Sequence, residues 1–174
     1  GRADSYWLYG KNSRRFACIL EFVIKGAPVS GSVVLAGGAY GGTLCFYPGV
    51  HNLRALAKDW KVKEAAAPET APSLEGAWQQ MLEGYAANPL QTHLPFFAGN
   101  LTLVKKDGCF ALGGGGFLLP VKLDEKQHME LLLACEDRPF SAFLLHNFNN
   151  RQTDVLSCVG QNGLKLLTRE KSPV

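Results

Sequence analysis

Short apolar runs separated by turn-forming pairs fill the second half of the chain, and they constrain the fold more than any other feature. Asp107-Gly108, Asn149-Asn150 and Asn162-Gly163 each separate two such runs, as the tips of β-hairpins do. The pattern predicts antiparallel strands and a meander near the end of the chain. The predicted strands are residues 96–104, 109–112, 117–123, 140–148, 154–159 and 164–168.

The first third of the chain also favours strands. Residues 15–25 are rich in β-branched and aromatic side chains and end at Gly26, and residues 32–35 and 43–47 have the same character. The glycines between residues 36 and 42 permit tight turning between the last two runs. We expect three strands here, the last of them ended by a Pro-Gly pair at residues 48–49.

Three segments have helical signals. Asn52 precedes apolar residues at helical spacing up to Trp60, which predicts a short helix. Ser73 is a good N-cap for a second helix that ends at Asn88-Pro89. Asp124 and Gln127 have the spacing of a capping box, which predicts a third helix over residues 125–135.

Strands and helices do not alternate regularly, so the sequence predicts an α+β fold. We expect mainly antiparallel β-sheet, as a meander or a partly closed barrel, with two to three short helices. Three regions follow: a β-rich subdomain (1–62), a linker with an amphipathic helix (63–90) and a second β-rich subdomain (91–174). The length of 174 residues is also compatible with a single domain.

Composition points to a globular protein of the cytoplasm. Nearly half of the residues are apolar, the net charge is +3, and no apolar stretch reaches the roughly 20 residues of a bilayer span. The start of the chain lacks the features of a signal peptide and is typical of a fragment of a longer protein. The cysteines are odd in number and widely spaced with apolar flanks, which favours buried, reduced thiols over disulfides or a catalytic thiol: Cys18, Cys45, Cys109, Cys135 and Cys158.

Three short motifs, in order, give the chain a family resemblance. The first motif is Phe-Tyr-Pro-Gly at residues 46–49 together with Leu-Arg-Ala-Leu at 53–56, the second is Ala-Ala-Asn-Pro at 86–89 and the third is Asp-Arg-Pro-Phe at 137–140. In this order they resemble the non-finger region of bacterial SWIM zinc-finger proteins over roughly residues 15–160. The resemblance implies a macromolecular binding role, without established chemistry, in a protein that carries the finger elsewhere.

The chain departs from that family in two respects. The Cys-x-Cys and Cys-x-His pairs of the finger are absent, so its zinc ligands have no counterparts here. The family has Glu-Trp after the last strand, whereas this chain has Asn147-Phe148, which puts a role for the acid in doubt.

No local motif indicates catalysis, a metal or a cofactor. Cys45 and His51 flank a turn and are the nearest thiol and imidazole pair, but a surface histidine after a strand is the commoner arrangement. The cysteines and histidines lack the close pairs of structural zinc sites. The glycine run at residues 113–116 lacks the Lys and Ser or Thr of a P-loop and is typical of a strand connection. We therefore expect no enzyme, no cofactor, no metal and no small-molecule ligand.

Cations beside aromatic residues are the ingredients of single-strand binding by stacking and phosphate contact. The candidate surface, for nucleic acid or another partner, consists of Tyr9, Lys11, Arg14, Arg15, Lys105 and Lys106. The alternative interpretation is an exposed terminal arm and a polar hairpin tip.

The sequence thus predicts a noncatalytic binding module of a larger bacterial protein, with a protein or nucleic-acid partner and no membrane. One alternative is an enzyme domain, similar to Cys/His hydrolases, whose site is assembled from distant residues such as Cys45, His51 and His146. A second alternative is an architectural spacer that positions a neighbouring zinc finger.

Overall fold

The computed structural model describes residues 2–23, 34–64 and 70–167. The chain forms two compact units, residues 1–66 and 67–174. Within the described residues the fold is α+β, with mainly antiparallel strands and two helices, as predicted. The described strands form open sheets and do not close into a barrel.

Two antiparallel hairpins make up the described part of the first unit. Strand β1 pairs with β2 and β3 pairs with β4, and a parallel bridge between Cys18 and Arg54 links β2 to the start of β4. The backbone N–H of Cys18 donates to the carbonyl of Leu53 at 2.6 Å. The strands are β1 (Arg2–Tyr9), β2 (Phe16–Val23), β3 (Ala39–Phe46) and β4 (Ala55–Lys63).

The predicted helix after Asn52 is wrong, because this segment enters strand β4. The side chain of Asn52 accepts from the N–H of Arg54 at 3.0 Å, two residues on, and so forms a turn instead of a helix cap. Leu56, expected on the buried face of the helix, is 55% exposed. Trp60 instead stacks on Tyr40 across the β3–β4 pair, with ring centroids 4.7 Å apart.

Other predictions for the first unit need correction. The first residues are strand β1 and not a terminal arm, because they pair with β2 along its whole length. Gly41 and Gly42 do not turn the chain but lie within β3, where the pairing register shifts before Thr43. Of the predicted strand at residues 32–35, the first two residues lie outside the described residues and the last two are not strand.

The second unit is built on a six-stranded antiparallel sheet in the order β10-β9-β8-β5-β6-β7. The long central strand β5 pairs with β8 along its first part and with β6 along its second. The strands are β5 (His93–Lys106), β6 (Cys109–Gly114), β7 (Phe117–Val121), β8 (Phe140–Asn147), β9 (Gln152–Gly160) and β10 (Gly163–Leu166); the helices are α1 (Leu74–Ala87) and α2 (Glu125–Cys135).

Local signals placed the helices and turns of this unit correctly. The Ser73 hydroxyl caps α1 by accepting from the N–H of Gly76 at 3.2 Å. At α2 the capping box is complete: the carboxylate of Asp124 accepts from the N–H of Gln127 at 2.7 Å, and the Gln127 side chain accepts from the N–H of Asp124 at 3.2 Å. Asp107-Gly108 joins β5 to β6 with φ of 51° and 78°.

Both helices pack on one face of the six-stranded sheet. Every second residue of β8 is buried, from Phe140 to His146, and these side chains share a face. Trp78 of α1 contacts His146. The end of α2 lies against Gly160 of β9, on the same face as Cys158, which is the cross-strand partner of Ala142. The core of the unit therefore lies between this face and the two helices.

Candidate nucleic-acid interface

One end of the first unit gathers two loops. Residues 10–15 join β1 to β2, and residues 47–54 join β3 to β4. Since the bridge between Cys18 and Arg54 places the start of β4 beside the start of β2, the second loop lies at the same end as the first. We call these two loops, with the strand residues that adjoin them, the basic end.

Cations lie over aromatic rings at the basic end. The guanidinium carbon of Arg15 is 4.2 Å from the centroid of the Phe46 ring, and that of Arg54 is 5.4 Å from the Tyr47 ring. Such contacts hold a guanidinium and a ring face together. The basic end therefore presents two pairs of cation and aromatic ring, contributed by both loops.

Hydrogen bonds within each loop fix its shape. In the first loop, the N–H of Gly10 donates to the carbonyl of Arg15 at 2.8 Å, and the N–H of Arg14 donates to the carbonyl of Gly10 at 2.7 Å. Arg14 itself has φ of 51°. In the second loop, the side-chain amide of Asn52 donates to the carbonyl of Pro48 at 3.3 Å. Hydrogen bonds between residues of the same loop thus hold each loop in shape.

Charge is unevenly divided between the two units. Residues 1–66 contain nine Lys and Arg against four Asp and Glu, a net charge of +5, whereas residues 67–174 contain nine against eleven, a net charge of −2. Residues 5–20 and 34–58 contain no acidic residue at all. The exposed cations of the basic end are Lys11, Arg14, Arg15 and Arg54. Because no carboxylate interrupts these segments, the potential there favours anions.

The predicted site residues fall into two groups. Tyr9, Lys11, Arg14 and Arg15 lie together in and beside the first loop. Residues 105–106 instead belong to the second unit, at the β5–β6 hairpin, where the ammonium of the first lysine is 5.1 Å from the Phe110 ring.

Sequence reasoning missed three residues of the basic end: Phe46, Tyr47 and Arg54. The sequence predicts a strand end for Phe46 and Tyr47 and a helix for Arg54, and neither prediction places them beside Arg15. The long acid-free segment that contains them is the sequence signal that could have found them.

The residues proposed for an assembled catalytic site are divided between the two units. Cys45 and His51 are both exposed in the first unit, and among the described residues no hydrogen bond joins them. His146 belongs to the second unit, where it is buried. The prediction of five core thiols is wrong for Cys45 and Cys109, which are exposed: Cys45 faces away from the buried side of β3, and Cys109 begins a hairpin strand.

Of the three buried thiols, Cys18 lies beside the basic end. Burial raises the pKa of Cys18, and the positive charge of Arg54 partly offsets that rise. A raised pKa keeps this thiol protonated at neutral pH, which does not favour a nucleophilic role.

His146 is a hydrogen-bonded core residue. Its Nδ1 lies 2.9 Å from the hydroxyl of Thr153, and its ring meets Trp78 and Phe148 edge to face at centroid distances of 4.9 and 4.6 Å. Burial lowers the pKa of His146, because an imidazolium would lose its hydration there. The imidazole is therefore neutral at physiological pH.

Among residues 2–23, 34–64 and 70–167, no group of three or more His, Cys, Asp or Glu side chains is arranged to hold a metal ion. Within the same residues, neither helix has the length and apolar character needed to cross a bilayer.

Comparison of the chain with protein-family models, with curated proteins and with solved structures finds no match in any of the three. The functional interpretation therefore depends on the arrangement of the residues.

Proposed function

We propose that this chain is a noncatalytic binding module and that the basic end of its first unit binds single-stranded nucleic acid. The observation that carries the proposal is the pairing of Arg15 with Phe46 and of Arg54 with Tyr47 at an end of the unit whose segments, 5–20 and 34–58, contain no acidic residue. Guanidinium groups contact phosphates, and ring faces stack with bases.

Two features favour a single strand over a duplex. Tyr47 is 43% exposed, so part of its ring is open to contact, and bases offer their faces only when they are unpaired. The described hairpins of this unit also contain no helix of the kind that enters the major groove. Phosphate contacts alone would not distinguish the two forms, so the aromatic residues carry this preference.

The resemblance to the non-finger region of bacterial SWIM zinc-finger proteins completes the proposal. In that context the module belongs to a larger cytoplasmic bacterial protein whose finger lies elsewhere. An anionic protein segment would satisfy the cations of the basic end but would make no use of stacking, so it is the alternative that the experiment must separate.

The test is a fluorescence-anisotropy titration of the purified chain against a labelled single-stranded oligonucleotide, at two salt concentrations. A duplex of the same sequence and polyglutamate serve as unlabelled competitors. We expect saturable binding that weakens with salt, with the single strand competing better than either the duplex or polyglutamate.

The variant Tyr47→Ala tests the stacking contribution, with Tyr40→Ala as the matched control because that ring stacks on Trp60 within the unit. Loss of one base stack costs about 1–3 kcal/mol, which is roughly 5- to 150-fold in affinity. Equal competition by polyglutamate and no effect of Tyr47→Ala would assign the basic end to an acidic protein partner. No binding at low salt would refute the proposal.

A further inference from the structure

Two buried thiols of the second unit lie where the end of a helix packs against a strand. Cys135 is the last residue of α2 and Cys158 lies in β9, and the two thiols interact closely enough for each to shift the pKa of the other. Both thiols are nearly inaccessible, with 5% of Cys135 and none of Cys158 exposed.

The backbone holds these thiols together. Gly160, two residues after Cys158 on the same face of β9, approaches the end of α2 so closely that an added Cβ would meet the carbonyl oxygen of Ala134 and lie 3.3 Å from the Cα of Cys135. The end of the helix therefore rests directly on the strand. This contact holds Cys135 against the face of β9 on which Cys158 lies.

The two thiols are not equivalent. The interaction between the two side chains raises the pKa of Cys135 and lowers that of Cys158. Burial and the negative charge of Glu130 raise the pKa of Cys158, whereas the ammonium of Lys165 lowers it. Lys165 is the cross-strand partner of Cys158 on β10. Cys158 is thus the thiol with more thiolate character, and Cys135 is its neighbour.

We propose that Cys135 and Cys158 form an oxidation site, which hydrogen peroxide converts into an intramolecular disulfide that joins α2 to β9. The proposal rests on the close approach of the end of α2 to β9 at Gly160 and on the burial of both thiols at this contact. Peroxide is the oxidant because it is small enough to reach buried thiols during brief openings of the helix end.

The chemistry balances in two steps. The Cys158 thiolate attacks one oxygen of peroxide; the O–O bond breaks, a sulfenic acid forms, and the departing hydroxide takes a proton to become water. The Cys135 sulfur then attacks the sulfenic sulfur; the S–S bond forms as the S–O bond breaks, and the leaving hydroxide takes the Cys135 proton. The two thiols lose two electrons in total, and peroxide gives two waters.

The test begins with the background variant Cys45→Ser/Cys109→Ser, which removes the two exposed thiols and leaves Cys18 as an internal control. The folded protein is treated with peroxide, denatured, alkylated and mapped without reduction. We expect a peptide that links Cys135 to Cys158, a loss of two hydrogens from the intact mass, an alkylated Cys18, and full reversal by dithiothreitol.

A second variant separates the two roles. With Cys135→Ser added, peroxide should leave Cys158 as a sulfenic acid that dimedone traps, with no disulfide. If this variant does not fold, the peptide map of the background variant still decides. The proposal is overturned if Cys135 and Cys158 stay free after peroxide treatment while the exposed thiols of the unsubstituted chain are oxidised in parallel. A link from either cysteine to Cys18 would also overturn it.

Discussion

Removing two cations from the basic end should halve the salt dependence of nucleic-acid binding. The double variant is Arg14→Asn/Arg15→Gln. Asparagine is chosen because position 14 has φ of 51°, a conformation that Asn tolerates, and glutamine keeps most of the length of Arg15 without its charge. The change removes both the cation over Phe46 and its neighbour in the same loop.

The expected magnitude follows from the four exposed cations Lys11, Arg14, Arg15 and Arg54. For a single strand, log K falls by about 0.7 per phosphate contact for each unit of log salt, so four contacts give a slope of about −2.8. Between 50 and 200 mM salt the affinity should then fall about 50-fold. The double variant keeps two contacts, which gives a slope of about −1.4 and a roughly sevenfold fall.

The assay is the anisotropy titration at four or more salt concentrations, and the matched control is Lys61→Gln/Lys63→Gln. These lysines are exposed on β4, opposite the start of β3 and away from the two loops, and their loss changes the net charge equally. The control should retain the full slope. Equal slopes for the two double variants would refute the localisation, because binding would then depend on net charge alone.

Three further predictions concern the second unit. Because burial holds the pKa of His146 below the roughly 6.5 of an unfolded chain, the unfolded state binds the proton first; stability is therefore full above about pH 6.5 and falls as the pH drops below it. His146→Gln should flatten that fall in urea unfolding between about pH 5 and 8, whereas exposed His93→Gln should not. Asp124→Ala removes the capping box of α2 and should cost about 1 kcal/mol in the same assay; an unchanged midpoint would contradict it. Gly160→Ala forces a methyl group against Ala134 and should cost about 1–3 kcal/mol, seen as a lower melting temperature; a neutral substitution would disprove the close approach.

Much of the second unit could be predicted because its signals are local. Ser73 and Asp124 satisfy N–H groups only three residues away, so the sequence nearby contains both partners of each bond. Asp107-Gly108 likewise adopts the positive φ angles that close a two-residue hairpin without help from distant residues. The helix starts and this hairpin turn are therefore where the sequence predicts.

The first unit was harder to predict because its strands depend on partners distant in sequence. Residues 53–60 have apolar side chains at helical spacing, and only pairing with β3 makes them a strand. Asn52 illustrates the ambiguity: the same side chain can cap a helix or close a turn, and here it accepts from Arg54. Tertiary pairing decided between two locally acceptable structures.

The candidate site was hard to predict for the same reason, because it depends on contacts between residues distant in sequence. Arg15 and Arg54 lie at the same end of the unit because β4 starts beside Cys18. No local sequence pattern predicts this contact. The modest net charge of +3 for the whole chain also conceals two units of opposite sign. Once the boundary after residue 66 is known, the excess of cations belongs to the first unit, and the acid-free segments confine it to the strands that carry the two loops. A phosphate backbone would be attracted to this end of the first unit in particular, which is why the position of a removed charge, and not its number, is the decisive variable.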